Sequence, residues 1–311
     1  MESIKLGENG PAVTPLCIGT WAWGDKLFWN YGSDYGFQQI QEAFNAALEI
    51  GTTFFDTAEL YGFGLSEDLL GQFMQQKQTV QIATKYGPAP WRFTGQSVTD
   101  ALTDSLKRLR LEKVSLYQVH WPFSFLMSQE TLLNALADEV QRGRIEAVGV
   151  SNYSAEQMRQ AARILAAHGV KLASNQVRYS LLTRQIESNG ILDTARQLGV
   201  TILAYSPLAQ GLLTGKYTTN SSEKPSGARW LDPRFSKEGL HKIEPVISLL
   251  QQIGEKHGRT PAQVALNWLI AQGNVVAIAG AKTAAQVRQN AGALGWNLSD
   301  VEMAQLDQVT K

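Results

Sequence analysis

Three features are scarce in this sequence, and each scarcity excludes a class of protein. The 311 residues include one cysteine, Cys17, which cannot form a disulfide within the chain and indicates a reducing compartment. Lysine plus arginine and aspartate plus glutamate number 28 each, so no excess charge favours nucleic acid or an anionic membrane surface. No apolar run approaches the length of a membrane span, and polar Glu2 and Lys5 begin the chain. We therefore expect a cytoplasmic protein without nucleic-acid or membrane partners; nothing indicates its oligomeric state.

The sequence also lacks the glycine-rich fingerprint of an open dinucleotide-binding sheet, because no G-x-G-x-x-G follows its first core strand. What it has is a regular alternation of short apolar runs with amphipathic segments. The apolar runs predict strands at residues 16–21, 53–56, 80–85, 114–120, 147–151, 173–177, 200–205 and 275–279. Helical spacing of apolar residues predicts helices at residues 38–50, 65–76, 96–110, 129–142, 154–168, 187–198 and 243–271.

This alternation indicates the fold class. Strands that are apolar throughout are typical of parallel strands buried on both faces. Eight of them, separated by helices in a chain of 311 residues, match a closed (β/α)8 TIM barrel better than an open sheet. Residues 2–16 predict an N-terminal β-hairpin around Asn9-Gly10 that covers one end of the barrel. We predict an α/β protein with one domain, residues 1–311, and extra helices at its C-terminus.

In a barrel of this kind, functional groups come from the carboxyl ends of the strands. The stretch 51–71 is the clearest case, because an apolar run ends at Asp56 and the following loop presents Tyr61. Lys85 and His120 end the next two strands. Each residue alone has a structural explanation, since a strand-end lysine is usually solvated and a histidine among apolar residues often belongs to the core. Together they predict a carboxylate, a phenol, an ammonium and an imidazole at one end of the barrel.

Several ordered motifs make this chain resemble the aldo-keto reductase superfamily over nearly its whole length. They are Asp-Thr-Ala-x-x-Tyr-Gly, Thr-Lys-Tyr-Gly, His-Trp-Pro, Gly-Val-Ser-Asn, Asn-Gln-Val, Tyr-Ser-Pro-Leu-Ala-Gln-Gly-Leu-Leu-Thr-Gly-Lys-Tyr and Gly-Ala-Lys-Thr. The resemblance implies a nicotinamide-dependent reductase that converts aldehydes and ketones to alcohols on a (β/α)8 barrel. It also implies the catalytic tetrad Asp56, Tyr61, Lys85 and His120, with no metal.

The chemistry of carbonyl reduction agrees with this tetrad. Hydride delivery to a carbonyl carbon builds negative charge on the oxygen, so a proton donor is needed there, and Tyr61 is suited to that role. We expect Lys85 to lower the pKa of Tyr61, because one charge at about 4 Å and an effective dielectric near 20 is worth about 4 kcal/mol. Asp56 would keep Lys85 charged. His120 would orient the carbonyl oxygen, in a protonation state that the sequence does not reveal.

The resemblance further implies which residues bind the cofactor. Ser151, Asn152 and Gln176 would hold the nicotinamide carboxamide, and the ring would stack on Tyr205. Gly280, Lys282 and Thr283 begin a helix, a place suited to a phosphate, and no acid stands where a reader of the ribose 2′-hydroxyl is expected, so we expect NADPH. Gln286 and Asn290 would lie near the adenine, while the reach of Arg288 is open. The remaining cofactor residues follow the seventh strand: Ser206, Leu208, Gly211, Gly215 and Lys216.

Two further expectations concern the mouth of the barrel. Tryptophans in the loops, namely Trp21, Trp23, Trp121 and Trp230, would form an aromatic wall around a small carbonyl substrate whose identity is open. Residues 208–242 show no clear periodicity, and we expect them to close over the cofactor as a lid. Cleavage by protease between residues 221 and 227 should then slow when NADPH is bound.

Two other functions remain compatible with the sequence. Aldolases that form a Schiff base also place a lysine at a strand end, although Asp56 would keep the Lys85 amine protonated and poorly nucleophilic. Some relatives in the superfamily are non-catalytic, redox-sensing subunits of membrane channels, which keep the fold and the bound NADPH. Turnover of simple aldehydes would exclude that second possibility.

Overall fold

Eight parallel strands form a closed barrel in which neighbours follow the order of the chain and the last strand pairs with the first. The computed structural model describes residues 3–74, 80–123, 125–219, 221, 223, 225, 229 and 231–310. The fold confirms the predicted (β/α)8 class. The strands of the barrel are β3 (Leu16–Gly19), β4 (Phe54–Asp56), β5 (Gln81–Tyr86), β6 (Val114–Val119), β7 (Ile145–Ser151), β8 (Leu172–Arg178), β9 (Thr201–Tyr205) and β10 (Val275–Gly280).

The predicted N-terminal hairpin is also present. Strands β1 (Ile4–Lys5) and β2 (Ala12–Val13) pair antiparallel. The buried side chains of Leu6 and Val13 pack against residues of the barrel interior such as Leu116 and Val276. The hairpin therefore covers the end of the barrel at which the strands begin and leaves the carboxyl ends of the strands to the loops.

Helices surround the barrel and bury their apolar faces against it. Side-chain caps set several of their beginnings: Ser128 accepts from the Thr131 amide, and Ser154 forms a reciprocal capping box with Gln157. The helices are α1 (Phe37–Glu49), α2 (Leu65–Met74), α3 (Gly95–Leu109), α4 (Gln129–Gln141), α5 (Ala155–Ala166), α6 (Ile191–Leu198), α7 (Lys237–His257), α8 (Pro261–Ile270), α9 (Ala284–Ala291) and α10 (Asp300–Thr310). The last two are the C-terminal helices that the sequence predicts. None of the described helices combines the length and apolar character needed to cross a membrane.

The predicted helix at 243–271 is wrong as a single element. Gly258 adopts a left-handed conformation with φ of 62° and ends α7, and the Arg259 amide donates to the Gly254 carbonyl. Thr260 and Pro261 then start α8 with a capping box and a proline in its first turn. Apolar periodicity continues across this break, so the period alone does not reveal it.

Two other predicted boundaries also differ from the structure. Helix α7 begins at Lys237, because the Ser236 side chain accepts from the Gly239 amide and caps it. Residues 208–242 therefore contain the first turns of a helix, as well as short 3-10 helices at Ala209–Thr214 and Pro233–Phe235. Helix α6 begins at Ile191, after a separate 3-10 turn at Gln185–Glu187. In the predicted lid, residues 220, 222, 224, 226–228 and 230 lie outside the described residues, so most of the predicted protease site at 221–227 does as well.

Candidate active site

The four residues of the predicted tetrad meet at the carboxyl end of the barrel. Asp56 is the last residue of β4, Lys85 lies in β5, Tyr61 begins the short helix after β4, and His120 follows β6. The Lys85 ammonium donates to Asp56 Oδ2 at 2.7 Å, to the Thr57 carbonyl at 2.7 Å and to the Tyr61 hydroxyl at 3.1 Å. One cation thus contacts both the carboxylate and the phenol.

The buried Asp56–Lys85 ion pair is supported by two amides of the barrel interior. Gln176 donates to Asp56 Oδ1 at 2.7 Å, and Gln118 lies 3.3 Å from the same oxygen. A buried ion pair is tolerated when further hydrogen bonds satisfy its remaining atoms. Asp56, Gln118 and Gln176 come from β4, β6 and β8, as expected for one layer of side chains from alternate strands.

Gln118 was not among the predicted site residues. Its side chain is fully buried, and Gly149 leaves room for it, because a side chain at 149 would approach Gln118 Cγ to 2.9 Å. The pattern that could have revealed it is a glutamine inside the otherwise apolar run before His120.

The charges of the site act on the pKa values of Lys85 and Tyr61. Burial lowers the pKa of Lys85, but Asp56 and Tyr61 outweigh that effect, and its pKa is raised overall. For Tyr61 the expectation of a lowered pKa is wrong in this structure: loss of hydration raises the pKa of the phenol, and Lys85 only partly opposes this. The ammonium therefore remains protonated, and so does the phenol.

His120 is neutral in this environment. Burial, followed by the positive charge of Lys85, lowers its pKa to about 2. Its ring stacks on Trp121, with centroids 3.9 Å apart, and meets the Tyr61 ring edge to face at 5.9 Å. The Nδ1 atom is buried without a hydrogen-bond partner in the described part of the chain. Packing between two aromatic rings therefore fixes the plane of the imidazole beside the Tyr61 hydroxyl.

The residues expected to hold the nicotinamide form one hydrogen-bonded group beside the tetrad. Asn152 has a left-handed backbone with φ of 62°, accepts from the Tyr205 hydroxyl at 3.0 Å and donates to the His120 carbonyl at 3.3 Å. The Ser151 hydroxyl donates to the Gln176 carbonyl at 2.9 Å. Since Gln176 also contacts Asp56, this group is continuous with the ion pair.

The segment after β9 follows a compact, irregular path. Ser206, Gln210 and Gly211 all have positive φ, at 53°, 59° and 102°, and Leu208 and Gly215 flank the 3-10 helix between them. The Lys216 ammonium lies 4.7 Å from the centre of the Tyr217 ring. Four of the predicted cofactor residues, Ser206, Leu208, Gly211 and Gly215, are thus in a backbone that bends sharply at the barrel mouth.

A second group of cations lies across the mouth. Lys282 Nζ is 5.6 Å from the centre of the Trp29 ring, and the Arg229 guanidinium is 5.3 Å from the same ring. Burial, with the charges of Arg229 and Lys216 contributing, lowers the pKa of Lys282. The Trp29 Nε1 atom is buried and has no partner among the described residues. Only the folded chain brings Arg229 and Trp29 together with Lys282.

The segment from Gly280 to Asn290 caps itself. The Gln286 side chain accepts from the Lys282 amide at 2.7 Å, and the Thr283 hydroxyl accepts from the Gln286 amide at 3.3 Å. Asn290 is buried, with its amide nitrogen 3.5 Å from the Gly280 carbonyl. Arg288 instead pairs with Glu49 at 2.9 Å, so it is directed toward α1 and away from Lys282.

The four predicted tryptophans separate into different environments. Trp21 is 37% exposed, and its ring stacks on the Phe28 ring and lies 6.4 Å from the centre of the Tyr61 ring. Trp121 stacks on the His120 ring. Trp23 is wrong as a pocket residue: it is fully buried, donates to the Ala281 carbonyl at 2.8 Å and packs in the outer core. Trp230 lies outside the described residues.

Comparison with known proteins identifies the family. The family model described as Aldo/keto reductase family matches residues 15–311. This chain belongs to the aldo/keto reductase family. It is 39% identical to pyridoxal reductase, chloroplastic, from Arabidopsis thaliana, across 100% of this chain and 86% of the relative. It is 32% identical to the aldo-keto reductase yakc [NADP(+)] from Schizosaccharomyces pombe, across 97% of this chain and 89% of that relative.

Solved structures agree with this assignment. The glycerol dehydrogenase AKR11B4 from Gluconobacter oxydans superposes with a TM-score of 0.86 at 31% identity, covering 99% of this chain and 94% of that chain. As an aldo/keto reductase, the chain is an oxidoreductase of the carbonyl-reducing kind, from a family that typically binds a nicotinamide cofactor and acts on small molecules. The resemblance inferred from the motifs is confirmed. Cytoplasmic localisation stays a prediction, because the Arabidopsis relative is named as chloroplastic.

Proposed function

We propose that this aldo/keto reductase reduces aldehydes and ketones with NADPH, and that Tyr61 donates the proton. The observation that carries the proposal is the position of the Lys85 ammonium, 2.7 Å from Asp56 and 3.1 Å from the Tyr61 hydroxyl. A phenol donates a proton readily only when its anionic form is stabilised. The Lys85 charge supplies that stabilisation at the moment of proton transfer, and Asp56 keeps the lysine protonated.

His120 would orient the substrate. Because its imidazole is neutral and lies edge to face against Tyr61, it can donate one hydrogen bond to the carbonyl oxygen without competing for the proton of Tyr61. The stack on Trp121 fixes the direction of that bond. Two donors then converge on the oxygen where negative charge develops.

The residues beside the tetrad fit a nicotinamide cofactor, which supplies the hydride when bound. Asn152, Ser151 and Gln176 would hold the carboxamide of the ring, and Tyr205 would pack against its face. The backbone around Leu208, Gly211 and Gly215, with Lys216, would hold the diphosphate, and Ser206 would position this turn. The hydrogen bonds from Ser151 to Gln176 and from Tyr205 to Asn152 prearrange the polar surface that would meet the nicotinamide.

The phosphate of NADPH would bind near Lys282 and Thr283. An anion here would relieve the repulsion among Lys282, Arg229 and Lys216, which adds to the effect of burial in lowering the pKa of Lys282. Gln286 and Asn290 would contact the adenine beyond Gly280. We therefore infer a preference for NADPH over NADH.

We propose aromatic aldehydes as substrates, with pyridoxal as the first compound to test. Trp21 and Trp121 flank the Tyr61 and His120 rings and offer flat apolar surfaces on both sides of the polar centre. The name of the Arabidopsis relative, pyridoxal reductase, supports this choice. The flat pyridine ring of pyridoxal could pack against the rings of Trp21 and Trp121.

The test compares pyridoxal, benzaldehyde and a short aliphatic aldehyde, each with NADPH and with NADH, and glycerol oxidation with NADP+. We expect the aromatic aldehydes with NADPH to give the highest kcat/KM. A panel in which glycerol oxidation exceeds every reduction would instead favour the activity named for the Gluconobacter neighbour. No turnover of any carbonyl, with NADPH bound, would favour the non-catalytic regulatory subunit.

The structure also gives a reason to prefer reduction over Schiff-base chemistry. A nucleophilic lysine must be neutral, whereas the contacts of Lys85 raise its pKa. Treatment with borohydride in the presence of an aldehyde should therefore leave Lys85 unmodified.

A further inference from the structure

A second ion pair, only partly exposed to solvent, lies close to Tyr61 in the chain. Glu59, two residues before Tyr61, accepts from both terminal guanidinium nitrogens of Arg92, from Nη2 at 2.9 Å. Side-chain exposure is 7% for Glu59 and 20% for Arg92. Neither residue takes part in the proposed reaction, and neither was predicted as a site residue from the sequence.

This ion pair joins two loops. Glu59 Oε1 also accepts from the Gly87 amide, and Arg92 donates to the Gly87 carbonyl at 2.7 Å. Gly87 permits this approach, because a side chain there would meet Leu60 at 2.8 Å and Glu59 at 3.2 Å. Gly87 is two residues after Lys85 in the chain. The pair therefore ties the segment that carries Tyr61 to the segment that carries Lys85.

We propose that Glu59 and Arg92 are positioning residues that hold the Tyr61 hydroxyl against the Lys85 ammonium. This inference rests on the proposed role of Tyr61 as proton donor. Lys85 is fixed by its strand and by its bonds to Asp56 and the Thr57 carbonyl. Tyr61 instead begins an irregular turn in which Gly62 and Phe63 both have positive φ.

The turn that carries Tyr61 thus gains its rigidity from contacts outside itself. Ion pairs with bidentate geometry and low exposure fix loops more firmly than exposed pairs do. Arg92 is fixed in turn by its position over the Tyr86 ring, at 5.0 Å from the ring centre. A misplacement of about 1 Å in a reacting group can cost about a hundredfold in rate.

Another Glu–Arg pair of similar burial serves as a control. Arg144 donates to Glu139 at 2.6 Å, with side-chain exposures of 25% and 0%. Arg144 immediately precedes β7, so it lies at the end of the barrel opposite to the tetrad. Arg144→Ala removes a Glu–Arg contact of similar burial without touching the Tyr61 turn, while Glu139 keeps its bond from Arg142 at 2.8 Å.

The experiment measures kcat of Arg92→Ala, Arg92→Lys and Arg144→Ala. The substrate is a short aliphatic aldehyde, because its reduction should not require contacts with the exposed Trp91 and Phe93 beside Arg92. We expect kcat of Arg92→Ala to fall about tenfold to a hundredfold, while the Kd for NADPH changes less than twofold. The solvent deuterium isotope effect on kcat should rise, because proton donation becomes slower. Arg92→Lys should recover part of kcat, and Arg144→Ala should keep the wild-type kcat and isotope effect.

Thermal unfolding of each variant separates positioning from loss of the fold. If Arg92→Ala and Arg144→Ala have equal Tm but only the first loses kcat, the positioning role holds. Wild-type kcat and isotope effect in Arg92→Ala, or equal kcat losses in Arg92→Ala and Arg144→Ala, would overturn it. If Arg92→Ala does not fold, Arg92→Lys is compared with Arg144→Ala instead: a lower kcat and a higher isotope effect in Arg92→Lys alone support the role, and wild-type values overturn it. Wild-type turnover in Tyr61→Phe would refute the proton-donor role instead.

Discussion

The Lys85 ammonium lies 3.1 Å from the Tyr61 hydroxyl, although the two residues are 24 positions apart in the chain. Asp56 and the Thr57 carbonyl accept two protons of the Lys85 ammonium at 2.7 Å, so the third is directed to the Tyr61 hydroxyl. The distance between these two side chains therefore determines how strongly a developing phenolate is stabilised.

Tyr61→Phe should lower kcat for aldehyde reduction by about 10²- to 10⁴-fold, the contribution expected of a positioned general acid. The Kd for NADPH, measured by fluorescence titration, should stay within twofold, because the ring and its packing remain. Tyr117→Phe is the control: the Tyr117 hydroxyl is buried without a partner in the described residues, so its removal should leave kcat unchanged. Equal kcat losses in both variants would contradict the role of Tyr61.

His120 should make the protein less stable below neutral pH. Burial and the Lys85 charge lower its pKa in the folded chain to about 2 from an ordinary 6.5, so the unfolded chain binds the proton first. Stability is then complete above pH 6.5 and is lost as the pH falls, by about 1.4 kcal/mol per unit. Urea unfolding of the wild type and His120→Asn at pH 7 and 5.5 should show about 1 kcal/mol more loss in the wild type. Parallel losses would mean that His120 is protonated in the folded chain.

Lys282→Glu should raise the KM for NADPH by about tenfold to a hundredfold and change the KM for NADH little, because a charge-assisted hydrogen bond is worth about 1.5–3 kcal/mol. Arg288→Ala tests whether position matters as well as charge. Since Arg288 is directed to Glu49, its removal should affect both cofactors only slightly. Equal effects of Lys282→Glu on both cofactors would remove Lys282 from the phosphate site.

Trp21 and Trp23 should respond in opposite ways to substitution. Trp23→Phe loses the hydrogen bond to the Ala281 carbonyl and some core volume, so we expect about 1–3 kcal/mol less stability with KM for aromatic aldehydes unchanged. Trp21→Ala, at a partly exposed position, should raise that KM and leave Tm nearly unchanged. A KM effect confined to Trp23→Phe would return that residue to the pocket.

The sequence predicted the barrel well because its evidence is local and repeated. Each buried parallel strand needs an apolar run, and each helix needs an apolar face, so eight units in order leave little freedom. The candidate site followed from the same topology, because the carboxyl ends of parallel strands meet on one face. That is why Asp56, Lys85 and His120, which are far apart in sequence, could be grouped before the fold was known.

Features that depend on direction or environment could not be predicted in this way. Trp21 and Trp23 are two residues apart in one loop, and only the path of that loop places one at the mouth and the other in the core. The break at Gly258 interrupts no apolar period. The pKa of Tyr61 depends on how much water the folded site excludes, which outweighs the nearby charge of Lys85.

By itself, the sequence determined the class of fold, the family and the residues available for proton transfer, because apolar periodicity and strand-end residues are written locally in the chain. Only the tertiary structure decided which partners those residues have. Gln118 reaches Asp56 across 62 residues, and Arg92 reaches Glu59 across 33, so each contact exists only once the barrel has closed. Burial then determines what each contact does, because excluding water strengthens a paired charge and raises the cost of an unpaired one.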